Sequence, residues 1–189
     1  MNAVPVPKPG LMTVAEFLAW QGDGTDRRCD LMHGVPVAQA ATSEEHGVIQ
    51  ANIAALLNER LRHRPPCRVV TEAGLYKSKR NFSYRSADVA VTCAPPVRGE
   101  PTRPMLLVEV LSPSNRAETL AKIGFYASFD SVREIVTVDS EQPQVIVYRR
   151  NGDDWADIPA EVLAAGDHLR LDSIDVTLDL ADIYRNVPF

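Results

Sequence analysis

Apolar and polar positions alternate through the middle of the chain. In PMLLVEVLSPSN, Pro104 to Asn115, the residues Met105, Leu107, Glu109 and Leu111 fall on one face of an extended segment. Leu106, Val108 and Val110 fall on the other. A run apolar on both faces reads as a strand buried in a sheet, here stopped by Ser112-Pro113. SADVAVT, Ser86 to Thr92, alternates Asp88, Ala90 and Thr92 against Ala87, Val89 and Val91, and reads as a second strand. EIVTVD (Glu134 to Asp139) and QVIVYRR (Gln144 to Arg150) read as two more, joined by a turn containing Pro143. CRVVTEAG and GLYKSK, on either side of Gly74, read as a further pair.

Helical spacing marks other segments. Thr13 and Glu16 form a capping box that opens a short helix through Trp20. DLMHGVPVAQ, Asp30 to Gln39, predicts two strands around a His33-Gly34 turn. Ser43 then caps a longer helix to about Arg62, with Glu44 and Glu45 in the first turn, where the helix dipole favours acids. Its apolar positions are Ile49, Ile53, Leu56, Leu57 and Leu61, and Pro65-Pro66 ends it. The prolines of APPVRGEPTRP predict an exposed loop. A helix is expected from about Arg116 to Phe129, a strand near His168 to Leu171, and a short helix near Leu180 to Tyr184. This order predicts an α/β (α+β mixed) fold in one domain over residues 13–189, after a flexible proline-rich arm over 1–12.

A chain of 189 residues with 45% hydrophobic content suits one domain with a real core. No apolar run approaches the roughly 20 residues that span a bilayer. Cys29, Cys67 and Cys93 are odd in number and form no CxxC pair, so three reduced packing thiols and a cytoplasmic setting are expected. The net charge of −5 is unevenly spread: between Arg60 and Arg103 there are ten Lys or Arg against three acids. That asymmetry reads either as a basic patch for a polyanion or as scattered solvated charge.

The chemistry lies in the strands. A carboxylate inside an apolar strand costs several kcal/mol unless compensated, by about the effective desolvation penalty per ion. Glu109 therefore calls for a cation, a proton or a metal. Asp88 on a neighbouring strand is its companion. Two close carboxylates repel, and one stays protonated unless a cation intervenes. A hard divalent ion such as Mg²⁺ or Mn²⁺ fits oxygen ligands of this kind, and can activate water and neutralise phosphoryl charge. Glu118, Lys122 and Tyr126 follow at four-residue intervals on one helical stripe. They fit either an exposed ion pair worth about 0.2–0.5 kcal/mol or a lysine aimed at the site. His46, at the head of the long helix, suits contact with a phosphate or a metal-bound water, or a structural role. Asp30 suits an outer carboxylate or a turn.

Other chemistries find less support. There is no GxSxG elbow, P-loop, GxGxxG, HExxH or EF-hand loop. Asp88 and Glu109 also suit a glycosidase acid and base, but 6% aromatic residues offer few platforms for sugars.

DLMHGVPV, TSEEHGVIQANIAALLNERL, SADVAV, LLVEVLSPSN, E-x-x-x-K-x-x-x-Y and IVTVD occur in that order. The ordered set resembles the Uma-two family of restriction-endonuclease-like proteins, within the PD-(D/E)XK nuclease superfamily, over roughly Thr13 to Arg150. The resemblance implies a restriction-endonuclease-like core, a central mixed β-sheet flanked by helices. It implies Asp88 and Glu109 as the two signature acids. The superfamily lysine usually stands two residues after the second acid, where this chain has Leu111. Lys122 is implied as its replacement on the following helix, and His46 matches the family histidine. The chain departs from the family pattern at Asp30, usually glutamate, and at Glu118, usually aspartate. Its Ser112 to Glu118 segment is also one residue shorter.

The expectation is a metal-dependent endonuclease acting on DNA. Asp88, Glu109 and the Val110 carbonyl would hold Mg²⁺ or Mn²⁺. Lys122 and His46 would assist, and a homodimer would form by analogy with enzymes that cut both strands. The rivals are a silent nuclease-fold protein that binds nucleic acid or a protein partner, and a structural domain with a buried Glu109–Lys122 ion pair.

Overall fold

The computed structural model describes residues 10–25, 27–114, 116–152, 154–155 and 161–189. Most of the expected N-terminal arm, residues 1–9, lies outside the described residues. The chain divides into two compact units, residues 1–40 with 74–86, and residues 41–73 with 87–189.

The first unit opens with helix α1 (Val14–Ala19), closed at its start by the expected capping box. Strands β1 (Cys29–Met32) and β2 (Val35–Ala38) form the predicted hairpin, with His33 and Gly34 both at positive φ in the turn. Gly34 is required there: a Cβ would stand 2.6 Å from the Leu11 Cβ, on a backbone already in the left-handed region. Asp30 is a fully buried member of β1, not a turn residue. Its carboxylate accepts from Gln39 Nε2 at 2.9 Å and the Ser86 N–H at 3.0 Å, and pairs with Arg85 at 3.4 Å.

The second unit is built on a six-stranded sheet with the order β3-β4-β5-β6-β7-β8. The strands are β3 (Arg68–Leu75), β4 (Arg85–Thr92), β5 (Leu106–Leu111), β6 (Glu134–Asp139), β7 (Val145–Arg149) and β8 (Glu161–Leu163). β5 and β6 run parallel, joined through α3 (Arg116–Ala127), whereas β4–β5, β6–β7 and β7–β8 are antiparallel. A parallel pair needs such a crossover, and the helix supplies it.

Helix α2 (Glu44–Leu61) covers one face of this sheet. Ile49, Ile53, Leu57 and Leu61 pack in one cluster with Val89, Val91, Val108, Val110, Val136 and Val138. Each such side chain, fully buried, contributes about 1.5–3 kcal/mol. The hairpin of β9 (His168–Leu171) and β10 (Val176–Asp179) and the short α4 (Leu180–Ile183) complete the cluster. Helix α3 packs on β5 and β6 and meets the alternate face of β5, the one carrying Glu109.

Three expectations are corrected. GLYKSK is not a separate strand: β3 runs through Gly74 to Leu75 and ends there. Gly74 is needed for close approach rather than for a turn, since a Cβ would meet the Tyr84 hydroxyl at 2.0 Å. Cys67 and Cys93 are joined in a disulfide, and only Cys29 is a free thiol. The two cysteines flank β3 and β4, so sheet adjacency brings them together. Finally, Arg85, one of the ten basic residues between Arg60 and Arg103, is buried against Asp30 and so is not part of any basic surface. Among the described residues no helix is long and apolar enough to cross a membrane.

Candidate active site

The site grows from the place where β4 and β5 stop pairing as a simple ladder. Their register runs Val91–Leu106, Ala90–Leu107 and Val89–Val108. At the next step the Val110 N–H donates to the Asp88 carboxylate, to Oδ2 at 2.7 Å. A side chain thus stands where a backbone acceptor would continue the ladder. The bond fixes Asp88 at the strand end and holds a carboxylate against the residue that follows Glu109.

His46 reaches Asp88 from the first turn of α2. Ser43 caps that helix as expected, its Oγ accepting from the His46 N–H at 3.3 Å. His46 is 1% exposed, and its Nε2 stands 3.3 Å from Asp88 Oδ1. Among the described residues neither ring nitrogen finds a hydrogen-bond partner. A buried polar atom without a partner is costly, which points to a further group at this position.

Glu109 is 1% exposed and is compensated from α3. Lys122 Nζ lies 3.7 Å from Oε2, and the Tyr126 hydroxyl donates to Oε1. The four-residue spacing read along the helix therefore serves Glu109: Lys122 and Tyr126, on successive turns, meet one carboxylate. Glu118 completes the stripe in sequence only. Its Oε1 is buried with no hydrogen-bond partner among the described residues, and Lys122 pairs with Glu109 in place of the expected Glu118–Lys122 surface pair.

Asp88 and Val110 are thus joined directly, as are Glu109 and Lys122, and the peptide between Glu109 and Val110 links the two groups. Asp30 belongs to the first unit, with partners of its own. Sequence reasoning missed Gln50 and Glu72. Gln50 follows His46 by one turn of α2, and its Nε2 donates to the Asp88 carbonyl at 2.9 Å and to Glu72 Oε1 at 3.0 Å. Glu72 sits at φ +51°, a conformation uncommon for a residue with a side chain. The i, i+4 relation of His46 and Gln50 was the available signal.

A metal at this site would depend on a small oxygen donor set. Among the described residues no three His, Cys, Asp or Glu side chains gather closely enough to hold an ion by themselves. Asp88 and Glu109 with the Val110 carbonyl offer hard oxygen atoms only. That suits a cation that keeps several waters, such as Mg²⁺. His46 Nε2, 3.3 Å from Asp88 Oδ1, stands where it would contact a water held by such an ion.

Residues 14–181 match the family model Uma2, described as "putative restriction endonuclease". An uncharacterised protein of Synechocystis sp. is 28% identical over 192 residues, covering 99% of this chain and 97% of that protein. The crystal structure of a "putative nuclease belonging to DUF820" from Anabaena variabilis aligns with a TM-score of 0.73. It covers 92% of this chain and 97% of its own at 17% identity, a likeness of fold. The central mixed sheet flanked by helices is the architecture expected from the sequence.

Proposed function

The chain belongs to the Uma2 family of putative restriction endonucleases, and from that premise we propose that it is a metal-dependent endonuclease hydrolysing phosphodiester bonds in DNA. The observation that carries the proposal is the Asp88 carboxylate held by the N–H of Val110, the residue after Glu109, at the split of β4 from β5, with Lys122 beside Glu109.

Asp88, Glu109 and the Val110 carbonyl would hold Mg²⁺ or Mn²⁺. When bound, such an ion neutralises phosphoryl charge and lowers the pKa of a coordinated water. The chain's own residues do the rest. The Val110 N–H fixes the Asp88 carboxylate, and the Tyr126 hydroxyl fixes that of Glu109. The Lys122 ammonium presents a preorganised positive donor to charge developing on the phosphate oxygens. His46, buried beside Asp88, orients water on the α2 side. Hydrolysis joins a water oxygen to phosphorus and breaks one P–O ester bond, and the departing oxygen takes up a proton. A two-fold homodimer suits cleavage of both strands of a duplex.

A second reading is a nuclease-fold protein that binds nucleic acid without cutting. It is favoured by the compensation of Glu109, which Lys122 and Tyr126 supply without a metal. Thermal unfolding with increasing Mn²⁺ separates the two. Metal binding to the native state alone stabilises by about 2.7 kcal/mol at one hundred times Kd. The melting temperature should rise for wild type and stay flat for Asp88→Asn and Glu109→Gln. A wild-type melting temperature indifferent to Mn²⁺ contradicts the metal-dependent reading.

A further inference from the structure

Beyond the two acids, the carboxyl edge of β5 and β6 carries a second charged pair. The parallel register sets Glu109 beside Thr137 and Leu111 beside Asp139. Residues two apart share a face, and in-register neighbours point the same way, so Glu109, Leu111, Thr137 and Asp139 all face α3. Asp139 lies two residues along and one strand across from Glu109. With a rise of about 3.3 Å per residue and strands about 4.8 Å apart, that separates their Cα positions by roughly 8 Å.

Asp139 is 2% exposed and holds Arg116, the first residue of α3, through Nη2 at 2.5 Å. Its other contacts are the Glu141 N–H at 2.9 Å and Gln142 Nε2 at 3.3 Å. Arg116 is 40% exposed. Its Nε and Nη1 have no side-chain or carbonyl partner among the described residues. The guanidinium is a rigid fork with five N–H donors, and one nitrogen braced on a buried carboxylate leaves the outer part preorganised for an anion. Leu111, two residues after Glu109, is the register partner of the residue that holds this arginine.

We propose that Arg116, braced by Asp139, contacts the DNA phosphate next to the one being cleaved. The inference rests on the nuclease reading and adds a substrate-binding residue to it. An arginine that neutralises one phosphate releases about one counterion, so its loss lowers the salt slope of duplex binding by about 0.9.

The test measures binding of a labelled duplex in EDTA across salt concentrations for wild type, Arg116→Lys, Arg116→Gln and the double variant Arg116→Gln/Asp139→Asn. The double variant has the net charge of wild type and leaves no unpaired buried carboxylate, so it guards against a folding defect. Arg116→Gln and the double variant should bind severalfold more weakly, with slopes lower by about one, and Arg116→Lys should keep the slope. Wild-type binding with the same slope in all variants overturns the inference alone. A wild type that does not bind duplex at any salt overturns the nucleic-acid reading, and this inference with it.

Discussion

Lys122 on α3 sets its ammonium 3.7 Å from Glu109 Oε2 on β5, and both side chains are more than nine-tenths buried. Removing one member of such a pair strands a charge in the interior and costs about 3–5 kcal/mol. Lys122→Ala and Glu109→Ala should each lower stability by that order in urea unfolding. The double variant should lose clearly less than the sum, because neither charge is then left alone. Additive losses contradict a direct pair.

Asp88 separates structure from chemistry more cleanly. Its Oδ2 accepts from the Val110 N–H, and an asparagine retains a carbonyl oxygen for that bond. Asp88→Asn should therefore melt close to wild type. Asp88→Ala leaves the Val110 N–H unsatisfied and should cost about 1–3 kcal/mol. Thermal unfolding of the two variants side by side checks the difference.

The Arg116–Asp139 pair gives a pH signature. Burial pushes the Asp139 carboxyl up, but hydrogen bonds from Arg116, the Glu141 N–H and Gln142 outweigh it and hold the group below its usual 3.8. A carboxyl depressed in the native state adds stability that is fully present above its unfolded value. That stability is lost as the pH falls through the lower native value. Wild type should therefore lose stability on acidification below about pH 4 more steeply than Asp139→Asn. Parallel acid-unfolding curves contradict the assignment.

The disulfide predicts a thiol count. Cys67 and Cys93 close a loop across 26 residues, for which the chain-entropy relation gives about 3.5 kcal/mol. Unfolded protein should titrate with one free thiol before reduction and three after. Reduction should lower the melting temperature of wild type and leave Cys67→Ser/Cys93→Ser unchanged. Three thiols without reduction contradict the bridge.

What the sequence disclosed depended on how local each signal was. The buried strand around Glu109 and the face of α2 were legible because periods of two and about 3.6 act within a few residues. The acids stood out as charges in apolar strands. Lys122 read more readily as a surface partner of Glu118 until the family resemblance, because the two stand four residues apart on one helix. The three-residue β8 and the Val176–Asp179 strand were missed as too short for a periodic signal. Non-local pairings left no trace either: Asp139 meets Arg116 only through the β5–β6 register, and Cys67 meets Cys93 only because β3 and β4 are neighbours. Asp30 suited either an outer carboxylate or a turn in sequence, because its partner Arg85 lies 55 residues away.

The most direct measurement is cleavage of supercoiled plasmid by wild type and Asp88→Asn, purified identically, with Mg²⁺ or Mn²⁺ and with EDTA. The account predicts nicking by wild type in the presence of metal, and none by the variant or in EDTA. Equal nicking by both proteins, or an intact plasmid under every condition with folded wild-type protein, contradicts a nuclease site built on Asp88 and Glu109.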